Sequence, residues 1–266
     1  MSTAIMQFMD EQSKQQRQYE RLERRRAAIN RHLDHHHRHP DGRRERFNRM
    51  IDMKQAMLGG TLDIRQEEII AAALERLTTE GLNNLSLRDI AKRVNMQAPA
   101  FYWHFRNKEV LVDFMAEAIL QKEFKILDPI ADDENWQDWV TKLMIRLRKA
   151  MLAYPDGGRI VAGAHLYPTA TLAKIFETTI ASLTSKGGDI NTAIHLAVTA
   201  THYTFGYVIE EQSSPSPEQI TKFDENSFKE QYPNLAKAMR EAWNKVENAD
   251  EDYLIGLKYI IKGSEA

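Results

Sequence analysis

The sequence predicts an all-α fold, and two observations carry that prediction. Apolar residues recur at helical spacing, and neither strand-like alternation nor an internal repeat occurs along the chain. Two predicted helices, Ser86 to Val94 and Pro99 to Phe105, are joined by only three residues, which is typical of a helix-turn-helix motif. We therefore expect a small helical head around this motif and a larger helical domain after it.

The first segment, residues 1–60, is predicted to be a basic helical extension. It is rich in Glu, Gln, Arg and Lys, its apolar residues are sparse up to about residue 38, and Pro40 to Gly42 form a turn signal. A second helix is expected from Arg43 to Leu58, ended by Gly59 and Gly60. The segment has 13 Lys and Arg against 8 Asp and Glu, a net charge of +5. Because the whole chain has a net charge of −2, residues 61–266 carry a net charge of −7.

The head is predicted to begin with a helix after Asp63. Asp63 is a suitable amino-terminal cap with Gln66 three residues later, and Gly81 is placed to end the helix. Its inward face is expected to carry Ile70, Ala73, Leu74 and Leu77.

The helix-turn-helix motif has its own start and stop signals. Ser86 followed by Asp89 fits a capping box at the start of the first helix. Asn95 follows the last apolar position, where a left-handed residue ends a helix and Asn is the best choice after glycine. Pro99 stands in the first turn of the second helix, where its missing amide costs nothing.

The second helix of this motif divides its aromatic residues between two faces. Phe101 and Phe105 are four residues apart and are expected to pack inward, which leaves Tyr102, Trp103 and His104 on the outer side. An exposed aromatic cluster usually marks a binding surface, and a helix-turn-helix motif places its second helix in the major groove of DNA. The pattern therefore indicates a DNA-binding head over residues 61–110.

The rest of the chain, residues 111–266, is predicted to be one larger helical domain. Asn107 is the expected cap of a long helix that runs to about Leu127 and connects the head to this domain. A loop is expected from Ser213 to Pro217, because prolines interrupt a helix there. Further helices are predicted over 136–154, 170–186, 189–212, 234–248 and 250–262.

Composition excludes several classes of function. The chain has no cysteine, so disulfides and thiolate metal sites are excluded, and a reducing compartment is favoured. No apolar stretch is long enough to cross a bilayer, and the first residues do not resemble a secretory signal, so we expect a cytoplasmic protein that does not bind membranes. No serine sits in a strained glycine-flanked turn. We therefore expect no catalytic residue, no cofactor and no enzymatic activity.

The head resembles the DNA-binding domain of the TetR (tetracycline repressor) family. The shared pattern is Gly81, Leu85, Ser86, Arg88, Ile90, Ala91, Val94, Pro99, Ala100, Phe101, Tyr102, Trp103, His104, Phe105, Asn107, Lys108 and Leu111. The resemblance implies contacts to DNA, and the candidate DNA-binding residues are Ser86, Arg88, Pro99, Ala100, Tyr102, Trp103, His104 and Lys108. Arg88 is of the type that reads guanine, whereas Lys108 and His104 would hold phosphates. Ala98 stands where the tetracycline repressor has a base-reading glutamine, so no operator sequence is predicted.

The larger domain is similar to the regulatory domain of the tetracycline repressor class. The matching residues are Trp136, Gln137, Asp138, Asp156, Gly157, Gly187, His202, Thr204, Gly206, Val208 and Glu210. The resemblance implies a homodimer in which helices near 190–210 and 251–263 form a four-helix interface. A twofold protein of this kind meets a palindromic operator, and we expect a repressor that a small molecule releases.

The same resemblance directs attention to seven candidate effector contacts. Five of them stand where the tetracycline repressor has, in chain order, histidine, asparagine, phenylalanine, a metal-binding histidine and glutamine: Phe124, Leu143, Leu147, Val161 and Thr179. His202 and Glu210 are retained, but alone they do not anchor a magnesium chelate. We expect an apolar or amphipathic effector rather than tetracycline; the alternative for these apolar residues is that they are ordinary core.

A cluster of histidines in the extension suggests a second class of function. His32, His35, His36 and His39 share one face if this segment is helical, and imidazoles bind zinc and nickel. The alternative function is therefore a metal-responsive sensor. A solvated face, or a weakly cationic strip beside DNA phosphates, explains the same pattern without a metal site.

Overall fold

A computed structural model describes residues 64–166, 169–213, 224–241 and 249–264. These ranges contain helices and connecting segments but no strand, as the sequence predicts. The helices are α1 (Ile64–Glu80), α2 (Leu87–Arg93), α3 (Ala98–His104), α4 (Lys108–Glu123), α5 (Trp136–Leu152), α6 (Gly157–Ala162), α7 (Ala170–Ser185), α8 (Ile190–Gln212), α9 (Glu225–Gln231), α10 (Pro233–Glu241) and α11 (Ala249–Gly263). None of these helices is both long and apolar enough to span a lipid bilayer.

The head is built from α1, α2 and α3, and α1 packs against α2 and α4. Ile70, Ala73 and Leu77 are buried as predicted, whereas Leu74 is half-buried. Gly81 ends α1 in the left-handed conformation, at φ 71°, which glycine adopts without steric cost.

Helix α4 connects the head to the larger domain, because it packs on α1 and also on α5, α6 and α7. The Asn107 side chain caps its first turn by accepting a hydrogen bond from the Val110 amide at 2.9 Å. The prediction that this helix runs to about Leu127 is wrong: it ends at Glu123. The Arg146 guanidinium donates to the carbonyl oxygens of Glu123 and Ile126 at 2.8 and 2.9 Å, and so replaces the amides of a further helical turn.

The larger domain is arranged around α8, which contacts α5, α6, α7 and α11. Two of its short helices, α6 and α9, were missed in the sequence. Helix α6 begins with two glycines, which weaken a helix but let it lie close to its neighbours. A Cβ atom on Gly158 would lie 2.9 Å from Val208 Cγ1 of α8.

A buried arginine joins α5, α8 and α11. The Arg148 guanidinium donates to Glu211 Oε1 at 2.7 Å and to Asp250 Oδ1 at 2.5 Å, and it lies 5.2 Å from the Tyr253 ring centroid. Tyr203 stacks on Tyr253 with ring centroids 5.4 Å apart. These contacts fix α11 against α8 and α5.

Some predictions lie outside the described residues. They concern the extension over 1–60, the Asp63 cap, most of the Ser213 to Pro217 loop and the helical stretch over 242–248.

Candidate DNA-binding interface

The turn between α2 and α3 has the geometry that the sequence predicts. Asn95 adopts φ 51°, the left-handed conformation, and the Met96 amide donates to the Ala91 carbonyl oxygen at 2.8 Å. Pro99 lies in the first turn of α3, and Gln97 precedes that helix. The chain therefore reverses sharply between two seven-residue helices.

The capping box predicted at Ser86 is wrong. Ser86 does stand at the amino-terminal cap position of α2, but its side chain makes no capping hydrogen bond. The Asp89 carboxylate lies 3.8 Å from Arg76 Nη2 and 3.9 Å from Lys92 Nζ. It is thus oriented toward these two cations instead of the start of the helix.

Helix α3 is anchored by the two aromatic residues that were predicted to face inward. Phe101 is 1% exposed and Phe105 is fully buried. Their ring centroids are 6.1 Å apart, and Phe105 meets the edge of Phe114 of α4 at 5.5 Å. The position of α3 is therefore coupled to α4 through packed aromatic rings.

The opposite face of α3 carries large side chains in contact with solvent. Tyr102 is 49% exposed and Trp103 is 44% exposed. Pro99 and Ala100 are exposed beside them, and His104 is partly exposed. The division into an inner pair and an outer group of aromatics matches the sequence prediction.

Arg88 is exposed on α2, the first helix of the motif. Together with Ala91, Lys92, Asn95, Met96, Gln97 and Ala98 it lines a cleft of about 320 Å³ between the two helices. Lys92, Asn95 and Gln97 were not among the DNA contacts predicted from the sequence. Lys92 could have been, because it follows Arg88 by four residues on the same helix face.

Three other cations of the head are engaged with carboxylates or backbone. Arg93 pairs with Glu75, and Arg76 lies 2.5 Å from Glu80. The pKa of Glu75 is lowered by its hydrogen bond to Arg93 and by the charge of that arginine. Lys108, predicted to hold a phosphate, donates to the Leu82 carbonyl oxygen at 2.6 Å.

Two buried carboxylates of α4 bind the segment before α7 and the first turn of α7 itself. Asp113 accepts a hydrogen bond from the His165 amide at 2.9 Å, and Glu117 accepts from the amide and hydroxyl of Thr171 at 2.9 and 2.8 Å. Burial raises the pKa of Asp113, and the bonds from His165 oppose that effect. The helix that carries the head is thus also fixed within the larger domain.

The predicted effector contacts fall into two groups. Phe124, Leu143, Leu147, Val161 and Thr179 are all at most 4% exposed. The Thr179 hydroxyl donates to the Ile175 carbonyl oxygen of its own helix at 2.7 Å, so it offers no free donor. His202 and Glu210 are exposed on α8, away from the buried face of that helix, which carries Ala200 and Thr204.

The histidine cluster, His32, His35, His36 and His39, lies outside the described residues. In the part of the chain that the structure describes, no group of three or more His, Asp and Glu side chains is arranged to hold a metal ion.

Two family models match the chain. The model for bacterial regulatory proteins of the tetR family matches residues 69–114, and the model for the tetracyclin repressor-like C-terminal domain matches residues 128–266. The first match covers the helix-turn-helix motif, and the second covers most of the larger domain.

Similar proteins are tetracycline repressors and other regulators of that family. The tetracycline repressor protein class G of Vibrio anguillarum is 32% identical over 197 residues, which cover 74% of this chain and 91% of that protein. A class A tetracycline repressor of Escherichia coli is 36% identical over 153 residues, covering 58% of this chain and 69% of that protein.

Solved structures show the same similarity. A variant TetR from Acinetobacter baumannii AYE, in complex with minocycline, is 32% identical with a TM-score of 0.59, and the match covers 77% of this chain and 94% of that one. A possible TetR family transcriptional regulator from Streptomyces coelicolor A3(2) has a TM-score of 0.62 at 25% identity, covering 74% and 97% of the two chains.

Proposed function

The chain belongs to the TetR family of bacterial transcriptional regulators, and from that premise we propose that it is a homodimeric repressor that a small apolar molecule releases from a palindromic operator. The head, residues 61–110, binds the operator. The larger domain, residues 111–266, forms the dimer and binds the effector. The extension, residues 1–60, adds contacts to the DNA backbone.

One observation carries the DNA-binding part of this proposal: the division of aromatics on α3. Phe101 and Phe105 are buried, while Tyr102 and Trp103 are about half exposed. A solvated helix gains nothing from exposing two large aromatics, whereas a helix in a major groove uses them against bases and sugars. Ser86, Arg88, Pro99, Ala100, His104 and Lys108 are proposed as further DNA contacts.

The dimer part of the proposal is supported by exposed residues that recur at helical spacing on α8 and α11. Ile255 and Tyr259 of α11 are four residues apart and are 41% and 74% exposed. On α8, exposed residues recur at His195, Thr199, His202 and Gly206, the spacing of a helix seam. Two copies of this pair of helices would bury these residues in a four-helix interface.

The effector part of the proposal is supported by the apolar character of the five buried candidates. The only polar side chain among them, Thr179, already donates to its own helix. A site with this lining favours a ligand that gains by leaving water rather than by forming hydrogen bonds. A role for His202 and Glu210 as effector contacts stays a prediction.

The mechanism is a shift between two populations of the dimer. An effector lowers operator affinity only by as much as it prefers the conformation whose two heads do not fit successive major grooves. Helix α4 is suited to link the two sites, because its Phe114 packs against Phe105 at the end of α3 and its last residue is followed directly by Phe124, a proposed effector contact.

Selection of bound DNA from a random pool tests the proposed function. The protein should enrich a palindromic sequence and bind it as a dimer, whose mass can be measured by analytical ultracentrifugation. A folded protein that enriches no sequence would refute the proposal.

Tetracycline with magnesium is predicted not to release the operator. Val161 stands where, by resemblance, the drug repressor has its metal-binding histidine, and a valine cannot bind the ion. Fluorescence anisotropy of labelled operator DNA, titrated with micromolar tetracycline and magnesium, measures this. Release that a chelator abolishes would contradict the apolar-effector proposal.

Deleting residues 1–60 is predicted to weaken binding to all DNA sequences alike. The extension carries a net +5, whereas residues 61–110 balance seven basic against seven acidic residues. For each phosphate that the extension no longer neutralises, the slope of log affinity against log salt should become shallower by about 0.9. Titrations from roughly 50 to 200 mM salt on operator and unrelated DNA measure this.

The control for the deletion is the full-length protein with Arg24, Arg25 and Arg26 changed to glutamine, which lowers the charge and keeps the length. An unchanged salt slope in both variants would leave the extension without a role on DNA. Loss of the dimer in the deletion variant would assign the extension to assembly.

A further inference from the structure

The turn between α1 and α2 is held by side chains from α4 and from the larger domain. The Leu82 amide donates to Asp156 Oδ2 at 2.8 Å, and the Leu82 carbonyl oxygen accepts from Lys108 Nζ at 2.6 Å. The next residue, Asn83, accepts a hydrogen bond from Arg159 Nη2 at 3.1 Å. Both hydrogen-bonding groups of Leu82 are therefore used, one by the larger domain and one by α4.

Asp156 is held in a conformation that few residues adopt. Its φ is 55°, in the left-handed region, where a residue other than glycine costs about 1 kcal/mol or more and Asp and Asn are the best tolerated. Its second carboxylate oxygen, Oδ1, accepts from Arg159 Nη1 at 3.0 Å. The carboxylate thus bridges the Leu82 amide and the Arg159 guanidinium.

The head side of this contact is also shaped to receive the carboxylate. Gly81 precedes Leu82, and a Cβ atom at Gly81 would lie 3.3 Å from Asp156 Oδ2. Gly81 is left-handed as well, at φ 71°. The turn and the carboxylate therefore fit each other closely.

The carboxyl-terminal end of α6 carries a proposed effector contact. Ile160 and Val161 are fully buried, and Val161 is one of the proposed effector contacts. Because α6 has six residues, its two ends are only about 9 Å apart. Gly157 and Gly158 have no side chains, and this lets the helix pack closely against Met151 of α5 and Val208 of α8.

We propose that Asp156, supported by Arg159, is a positioning residue that transmits the position of α6 to the DNA-binding head through the Leu82 amide. This is a second connection beside α4, and it sets the angle of each head and so the separation of the two α3 helices in the dimer. The inference rests on the proposed function, because it requires a dimer that reads two half-sites.

The separation of the heads is measured by the spacer that the dimer prefers between two half-sites. Operators with identical half-sites and spacers that differ by single base pairs are compared by competition binding. The variants are Asp156→Ala, which removes the acceptor, and Asp156→Asn, which keeps an acceptor oxygen and tolerates the left-handed conformation. Asp128→Ala, at an exposed aspartate between α4 and α5, is the matched control.

Wild type, Asp156→Asn and Asp128→Ala should share one preferred spacer. In Asp156→Ala, the ratio of affinities for that spacer and its neighbours should fall about tenfold, as expected for the loss of a hydrogen bond to a charged group. Its preference among bases within each half-site should not change. A merely structural role would lower binding on all spacers by one factor, and that result would overturn the inference.

Two further outcomes are decisive. An unchanged spacer preference in Asp156→Ala would overturn the inference while leaving the proposed function intact. A wild-type protein without a preferred palindrome would refute the proposed function and this inference with it. If Asp156→Ala does not fold, Arg159→Gln gives the same readout, because it weakens the bridge at Asn83 and should broaden the spacer preference in the same direction.

Discussion

Replacing Phe101 with alanine is expected to cause the largest loss of stability among single substitutions in the head. The ring is 1% exposed and packs between Tyr102 and Phe105, with which it makes aromatic contacts at 6.2 and 6.1 Å. Truncating a buried aromatic costs about 3 to 5 kcal/mol, because apolar burial decreases and a cavity remains. Urea unfolding followed by circular dichroism measures this decrease in the free energy of unfolding.

Trp103→Ala is the matched control, because it removes an aromatic from the adjacent position on the exposed face of the same helix. It should change the free energy of unfolding by less than about 1 kcal/mol, since Trp103 is 44% exposed, and yet abolish specific DNA binding. If Trp103→Ala unfolded the head and Phe101→Ala spared it, the two faces of α3 would have been assigned in reverse.

Arg88→Ala is expected to flatten the protein's preference among operator variants. Arg88 is exposed on α2 and lines the cleft beside α3, where its guanidinium would reach a guanine edge in the major groove. A bidentate contact of this kind contributes about 1 to 3 kcal/mol of discrimination against the wrong base. Competition binding of single-base operator variants, with wild type and Arg88→Ala side by side, measures it.

The control for this substitution is Arg240→Ala, at an exposed arginine of α10 in the larger domain. It removes the same charge without touching the head, so it should leave the base preference unchanged. Arg88→Lys should lose most of the discrimination as well, because lysine keeps the charge but cannot make the bidentate contact. Uniformly weaker binding by Arg88→Ala, with intact preference, would make Arg88 a phosphate contact.

The parts of the fold that depend on local chemistry were predictable from the sequence. Asn95 and Gly81 both adopt the left-handed conformation at helix ends, as their residue types suggest, and Asn107 caps α4. The inner and outer aromatics of α3 followed from the four-residue spacing of Phe101 and Phe105. In each case the signal and the structure it determines lie within a few residues.

The parts that were missed depend on contacts distant in sequence. Asp156 and Leu82 are 74 residues apart, and no local pattern marks that hydrogen bond. The early end of α4 depends on Arg146, which donates to the carbonyl oxygen of Glu123 from 23 residues further along the chain. Helix α6 escaped detection because its glycines carry no apolar periodicity, although they are what lets it approach α8.

The effector site could not be predicted from residue spacing alone. Leu143, Leu147 and Val161 have the spacing and burial of ordinary core residues, and a residue type alone does not distinguish a pocket wall from a core. The resemblance to drug-binding repressors is what marked these positions. The loss of polar side chains from them separates this chain's expected ligand from a metal chelate.

The ratio of affinities for the selected palindrome and a scrambled duplex of equal length tests the central claim most directly. At about 150 mM salt the wild-type protein should bind the palindrome at least about 10³-fold more tightly, the lower range for sequence-specific DNA-binding proteins. A ratio near one, in a protein that is folded and binds both duplexes, would contradict the claim that the α2 and α3 surface reads an operator.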